Sequence, residues 1–175
     1  MNRQALKWTT FIAGAAASFV CTASMMSSAA PSKWTRKSAT ECMVINGVVQ
    51  DSDWNIKNNG TTLMQVLCPA TDSNGFTKAE QNIVNVHGRD GHSTQSVTAR
   101  TCASFAFGSI GGVGGACSVA KSSPAAGQAE YRLEQLSTTA WDRDVTDFGY
   151  TFVELPAKDG ASLSTLRGVY TADQL

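Results

Sequence analysis

Residues 95–117, QSVTARTCASFAFGSIGGVGGAC, place a glycine-rich centre between two strand-like segments that each carry one cysteine. Apolar and β-branched residues favour strands, and glycine readily takes the positive φ angles of tight turns. The midpoint between Cys102 and Cys117 falls between Ser109 and Ile110, and directly opposed residues of a hairpin share its midpoint. Their Cβ atoms would then lie roughly 4.5–5.5 Å apart. The stretch therefore predicts a hairpin that a Cys102–Cys117 disulfide closes.

Turn signals divide the rest of the chain into short segments, and the segments predict the fold class. Asn-Gly or Asp-Gly pairs stand at 46–47, 59–60, 74–75, 90–91 and 159–160. Apolar and β-branched runs predict strands at 42–49, 61–68, 82–88, 95–107, 113–121, 150–155 and 163–171. We also assign a strand to 129–140, although its good helix formers leave a helix as the alternative. The pattern predicts an all-β protein with a single antiparallel β-sandwich, of jelly-roll or Ig-like type.

The N-terminus indicates export. Arg3 and Lys7 precede an apolar run at 8–20, and small residues follow as far as Ala30. This pattern is typical of a secretory signal peptide, here cleaved between positions 23 and 30. We therefore expect a secreted protein, extracellular or periplasmic, with no transmembrane segment in its mature form. A lipid anchor on Cys21 is the rival interpretation, which the bulky residues just before it disfavour.

The predicted organisation is a signal helix at 1–30, a flexible arm at 31–41 and the sandwich domain at 42–175. Beyond residue 30 the chain carries 12 basic and 14 acidic residues, which gives no electrostatic footprint for nucleic acid. We therefore expect no nucleic-acid partner. The arm holds three basic residues that suit a solvated segment, with contact to an acidic polymer or a lipid headgroup as the alternative: Lys33, Arg36 and Lys37.

Four cysteines follow the signal, and an even number in an exported chain indicates two disulfides. With Cys102 and Cys117 paired, Cys42 and Cys68 form the second disulfide by elimination. Simple hairpin turns at both 46–47 and 59–60 would put Cys42 and Cys68 on either side of one strand, beyond disulfide reach. We therefore expect Asn46-Gly47 to lie in a wider loop.

Two groups of residues are candidate metal ligands. The only histidines, His87 and His92, flank Asp90 in a glycine-rich loop, where the three could form a metal or acid–base site of a metal-dependent hydrolase. The H-E-x-x-H pattern is absent, and a turn at the end of a strand pair is the simpler interpretation of the loop. A second group offers oxygen ligands for calcium, but a solvated loop is the simpler interpretation: Asp142, Asp144 and Asp147. We predict no cofactor.

Six aromatic residues are of the types that stack on sugar rings: Trp34, Trp54, Trp141, Tyr131, Tyr150 and Tyr170. Three of them are taken as the candidate ligand-binding residues: Trp54, Trp141 and Tyr131. Aromatic side chains on a sheet face stack on sugar rings, but a small sandwich also needs large side chains in its core. We expect a non-catalytic binding module for a carbohydrate or a surface or matrix polymer. A structural coat or matrix component that assembles through sheet edges is a further alternative.

Several short motifs resemble a set of exported bacterial proteins of unknown function. These are the early Cys42, the strand end Val66-Leu67-Cys68-Pro69, Val84-Asn85-Val86 with Asp90, the strand leading from Val97 to Cys102, and Tyr150–Pro156 followed by Tyr170. Members usually carry a cysteine just before the Leu-Pro step, where this chain has Glu154 and carries Cys117 elsewhere instead. The resemblance implies a disulfide-linked β-sandwich and no catalytic residues.

Overall fold

Twelve strands and two short 3-10 turns make up the part of the chain that the computed structural model describes. That part comprises residues 33–52, 54–70, 75–104, 115–124, 129–136, 138, 141 and 148–173. The strands are β1 (Trp34–Ser38), β2 (Met43–Asn46), β3 (Val49–Ser52), β4 (Asn55–Asn58), β5 (Met64–Pro69), β6 (Ile83–Arg89), β7 (Thr98–Ser104), β8 (Gly115–Cys117), β9 (Lys121–Ser122), β10 (Glu130–Leu136), β11 (Phe148–Leu155) and β12 (Thr165–Ala172). The 3-10 turns cover Ala39–Glu41 and Lys78–Glu80.

The strands form two antiparallel sheets packed as a sandwich, which confirms the predicted all-β class. The front sheet has the order β10-β6-β12-β4-β3, and β1 pairs with β12 as well. The back sheet has the order β2-β5-β11-β7-β8, and β9 also pairs with β7. Successive side chains of a strand point to opposite faces, and in β11 every second residue is buried.

The core lies between the sheets and is built from β-branched and aliphatic side chains. Val66 and Val153 of the back sheet and Val86 and Leu166 of the front sheet are completely buried. Burying one such side chain contributes about 1.5–3 kcal/mol. The predicted strand at 129–140 is confirmed as β10, because Leu133 and its inward neighbours join this core.

Both predicted disulfides are present. Cys102 and Cys117 lie directly opposite each other in the β7–β8 pair, with their Cα atoms 4.0 Å apart. The turn predicted between them falls outside the described residues. The β2–β5 register brings Cys42 beside Cys68, and their Cα atoms are 4.3 Å apart.

The segment 42–49 does not form the single strand that its composition predicts. The chain passes from β2 of the back sheet to β3 of the front sheet at Gly47 and Val48, so Asn46-Gly47 is a short link between sheets and not a wider loop. Gly47 has a φ of 112°, and a Cβ there would lie 2.8 Å from the Cβ of Met64. The hairpin in this region is β3–β4, which has Trp54 in its turn at a φ of 70°.

The flexible arm predicted at 31–41 is also corrected, because its described residues belong to the sandwich. Residues 34–38 form β1, which pairs with β12 in unbroken register from Trp34 and Ala172 to Ser38 and Gly168. Ala39, in the 3-10 turn that follows, is fully buried. Hydrogen bonds between the backbones of β1 and β12 and the burial of Ala39 hold this segment in the sandwich. Its basic composition alone does not indicate this.

The segment predicted as one strand at 113–121 forms two short strands, β8 and β9.

The predicted signal segment, residues 1–30, lies outside the described residues. Within the described ranges, no helix is long and apolar enough to cross a membrane.

Candidate functional site

Asp90, a predicted metal ligand, is the centre of a buried hydrogen-bond network. It directly follows β6 and is 2% exposed. One carboxylate oxygen accepts the backbone N–H of His92 at 3.0 Å, and the other accepts that of Val97 at 3.2 Å. The hydroxyls of Ser123 and Ser164 donate to these oxygens at 2.5 and 3.4 Å. The network holds the β6–β7 loop against the segments that flank β9 and β12.

The two histidines lie in different surroundings. The Nδ1 atom of His92 accepts the backbone N–H groups of Thr94 and Gln95, at 3.1 and 3.0 Å, within the same loop. His87 lies on β6, between β10 and β12. Its neighbours in the chain, Val86 and Gly88, are buried, so the half-buried imidazole belongs to the outer face of the front sheet.

Among the described residues, no three His, Cys, Asp or Glu side chains are grouped so that they could hold a metal ion. The structure therefore does not assemble His87, Asp90 and His92 into the predicted metal centre. The calcium candidates lie outside the described residues and stay a prediction: Asp142, Asp144 and Asp147.

Two of the three aromatic residues predicted to bind a ligand belong to the core, which corrects that prediction. Trp141 is 1% exposed, and its indole N–H donates to the carbonyl oxygens of Cys102 at 2.9 Å and Tyr150 at 3.3 Å. Tyr131 is buried, and its hydroxyl donates to the carbonyl oxygen of Thr165 at 3.1 Å. A buried Trp or Tyr needs such a partner for its polar atom, and both have one.

Trp54, the third predicted aromatic residue, is on the surface. It is 78% exposed in the β3–β4 turn. Its carbonyl oxygen accepts the hydroxyl of Ser38 at 3.3 Å, which connects this turn to the end of β1.

An open concavity of about 630 Å³ lies beside β1 on the outer face of the front sheet. We call it the basic groove, and it is lined by residues 36–38 of β1, His87 of β6, Arg132 of β10 and residues 167–170 of β12. Three arginines line it together with one of the two histidines, in a chain whose net charge is zero: Arg36, Arg132, Arg167 and His87. Lys37 also borders it, but its ammonium donates to the carbonyl oxygen of Pro69 in the back sheet. The overall composition does not show that these arginines gather on one face.

An aromatic pair borders the basic groove. The rings of Trp34 and Tyr170 stack with their centroids 6.5 Å apart and their planes 29° from parallel. The guanidinium of Arg36 lies over both rings, 4.9 Å from the Trp34 centroid and 5.7 Å from the Tyr170 centroid. Arg36 stands directly opposite Tyr170 in the β1–β12 register, so strand pairing brings these three side chains together.

A β-bulge in β12 completes the groove. The register against β6 shifts between Leu166 and Gly168, so Arg167 is the extra residue. Leu166 and Val169 both point into the core, and the bulge lets Arg167 and Tyr170 share the outer face, which a regular strand would not allow. Sequence alternation alone therefore assigns these two residues to opposite faces.

The arginines of the groove differ in their partners. Arg167 binds Glu130 through two N–H···O contacts of 2.8 and 2.5 Å, and Arg132 pairs with Glu134 at 2.7 Å. Within the described part of the chain, Arg36 has no carboxylate at ion-pair distance. Among the three arginines of the groove, Arg36 is therefore the one whose charge no glutamate of these strands compensates.

The protonated form of His87 is disfavoured in the groove. Burial, the main cause, lowers the pKa of its imidazole below the ordinary value, and the charges of Arg132 and Arg36 lower it further, while Glu134 opposes the shift. A positive charge is thus unfavourable on this half-buried ring.

The aromatic pair and the groove were not predicted from the sequence. Trp34 and Arg36 alternate along β1, and this spacing of two was the available signal, but the segment was interpreted as a flexible arm. Comparison of the sequence with models of known protein families gives no match. Comparison with curated proteins gives none either. The resemblance to exported bacterial proteins thus stays at the level of an all-β, two-sheet protein with two disulfides.

Proposed function

We propose that this protein is a non-catalytic binding module for a carbohydrate or another surface or matrix polymer. The aromatic pair beside the basic groove is the observation that carries the proposal. Trp34 is 55% exposed although it lies within a paired strand, so its ring is held in place and presented to solvent. Sugar rings have apolar C–H faces that pack on such rings, while Arg and Ser side chains can bind their hydroxyls.

The shape of the site supports a polymer as ligand. The groove is open, so a chain could pass across it with only some of its units in contact. Its polar groups lie on paired strands, which hold them with little loss of conformational entropy on binding. The two disulfides agree with an oxidising compartment, where surface and matrix polymers occur.

Affinity electrophoresis and titration calorimetry against a panel of neutral and acidic polysaccharides test the proposal. We expect Trp34→Ala to weaken binding about 5- to 30-fold, since removal of one stacking ring costs on the order of 1–2 kcal/mol. Phe148→Ala is the matched control, because Phe148 is 66% exposed on β11 of the back sheet. Absence of binding across the whole panel would contradict the proposal.

A further inference from the structure

We infer that the basic groove recognises a carboxylate of an acidic polysaccharide, such as a uronic-acid polymer. This inference rests on the proposed function and names the class of polymer. Within the described residues, the groove is lined by Arg36, His87, Arg132 and Arg167 and by no Asp or Glu, while Lys37 at its border directs its ammonium to the carbonyl oxygen of Pro69 in the back sheet. A chain with 14 basic and 14 acidic residues has no general excess of positive charge that could produce this distribution.

Arg36 is the anchor for the carboxylate. Its guanidinium rests on Trp34 and Tyr170, which orders the side chain before a ligand arrives and leaves the edge of the group for hydrogen bonds. Since it has no acidic partner among the described residues, its charge is available to a ligand. A planar guanidinium can bind a carboxylate through two parallel N–H···O bonds.

The rim of the groove already shows this type of recognition. Glu130 contacts both terminal nitrogens of Arg167, in the two-bond arrangement that a uronate would form with Arg36. Glu130 and Glu134 compensate Arg167 and Arg132 on the β10 side, so the uncompensated charge lies toward β1, beside the aromatic pair. A sugar stacked on Trp34 would carry its carboxylate into this region.

The surroundings favour an acidic sugar over a lipid headgroup. The side chains next to Arg36 are aromatic rings on paired strands, which suit the face of a sugar ring. Most exposed aliphatic side chains, such as Met43 and Ile45, lie instead on or beside the edge strands β2 and β3. A membrane-binding site would also need side chains that enter the boundary of the acyl chains, whereas the aliphatic side chain among the described groove residues, Val169, points into the core.

Paired polymers test the inference separately from the proposed function. Polygalacturonate and alginate are each compared with the same polymer after chemical reduction of the carboxylates, by calorimetry at low and high salt. We expect at least one acidic polymer to bind about tenfold or more tightly than its reduced form, and to weaken as salt rises. Arg36→Gln should remove this difference. Arg100→Gln, which alters an arginine stacked on Phe152 in the back sheet, should retain it.

The possible outcomes are distinct. If charged and reduced polymers bind equally and Trp34→Ala weakens both, the carboxylate inference is wrong and the proposed function stands. If none of these polymers binds, the inference is wrong, and the proposed function is wrong as well only if the whole panel of neutral and acidic polysaccharides fails to bind. Binding to phosphatidylglycerol vesicles without binding to the acidic polymers would overturn the inference in favour of a lipid headgroup.

Discussion

Replacement of Asp90 by alanine tests whether this residue serves the fold, as the structure indicates, or a metal site, as the sequence suggested. The carboxylate accepts hydrogen bonds from two backbone N–H groups and two hydroxyls. Val97 and Ser123 lie in the buried part of this network, where water cannot replace the lost acceptor. The variant therefore leaves buried donors without their partner.

The expected loss follows from the partners that have no alternative acceptor. The Val97 N–H also points to the Ser123 hydroxyl at 2.9 Å, and the Ser164 contact is long at 3.4 Å, so we count neither. The Ser123 hydroxyl and the His92 N–H remain, and a hydrogen bond to a charged group is worth about 1.5–3 kcal/mol. Asp90→Ala should thus lower the free energy of unfolding by about 3–6 kcal/mol. This is a large part of the roughly 5–15 kcal/mol typical of a domain.

Urea unfolding followed by tryptophan fluorescence measures the loss, because buried Trp141 becomes exposed to solvent when the core opens. Asp159→Ala is the control, since Asp159 also accepts a loop backbone N–H, from Ser93 at 3.0 Å, but in exposed surroundings. We expect the control to lose much less than Asp90→Ala, because water replaces the exposed hydrogen bond. The wild-type midpoint should not change when EDTA is added.

Two results would refute this account. A loss for Asp90→Ala no greater than that of the control would show that the buried network contributes little. A clear decrease of the wild-type midpoint in EDTA, absent from Asp90→Ala, would show that Asp90 holds a metal ion that stabilises the fold.

Two further predictions concern β1 and His87. Gly168→Ala should destabilise the protein by about 1–3 kcal/mol and expose β1 to trypsin, because a Cβ there would lie 2.3 Å from the carbonyl oxygen of Lys37. Gly75→Ala, where a Cβ meets nothing within 4 Å, should change the urea midpoint little. Because the pKa of His87 is lowered in the folded protein, its imidazole is protonated at a higher pH in the unfolded chain than in the folded one. The free energy of unfolding should therefore fall as pH decreases through about 6.5. His87→Gln should flatten this pH dependence of the urea midpoint between pH 7.5 and 5.5, and an unchanged slope would contradict the assignment.

The sequence by itself determined the features that depend on neighbouring residues. The apolar and β-branched run at 150–155 identified β11, and the spacing of Cys102 and Cys117 around a glycine-rich centre identified their pairing. The all-β class followed from the same signals, since a strand and a hairpin are both encoded over a few residues. The disulfide between Cys42 and Cys68 followed only by elimination, and the β2–β5 strand pairing that brings the two cysteines together was not predicted.

Only the tertiary structure decided which surface offers a candidate site. β1 exists as a strand because it pairs with β12 from the opposite end of the chain, and no local signal encodes that pairing. The exposure of aromatic residues is decided in the same way: Trp141 and Tyr131 enter the core, while Trp34 stays outside. The bulge at Arg167 then places this arginine and Tyr170 on one face. Composition fixes how much apolar surface must be buried, but strand register fixes which side chains are buried, because a shift of one residue reverses the faces of a strand.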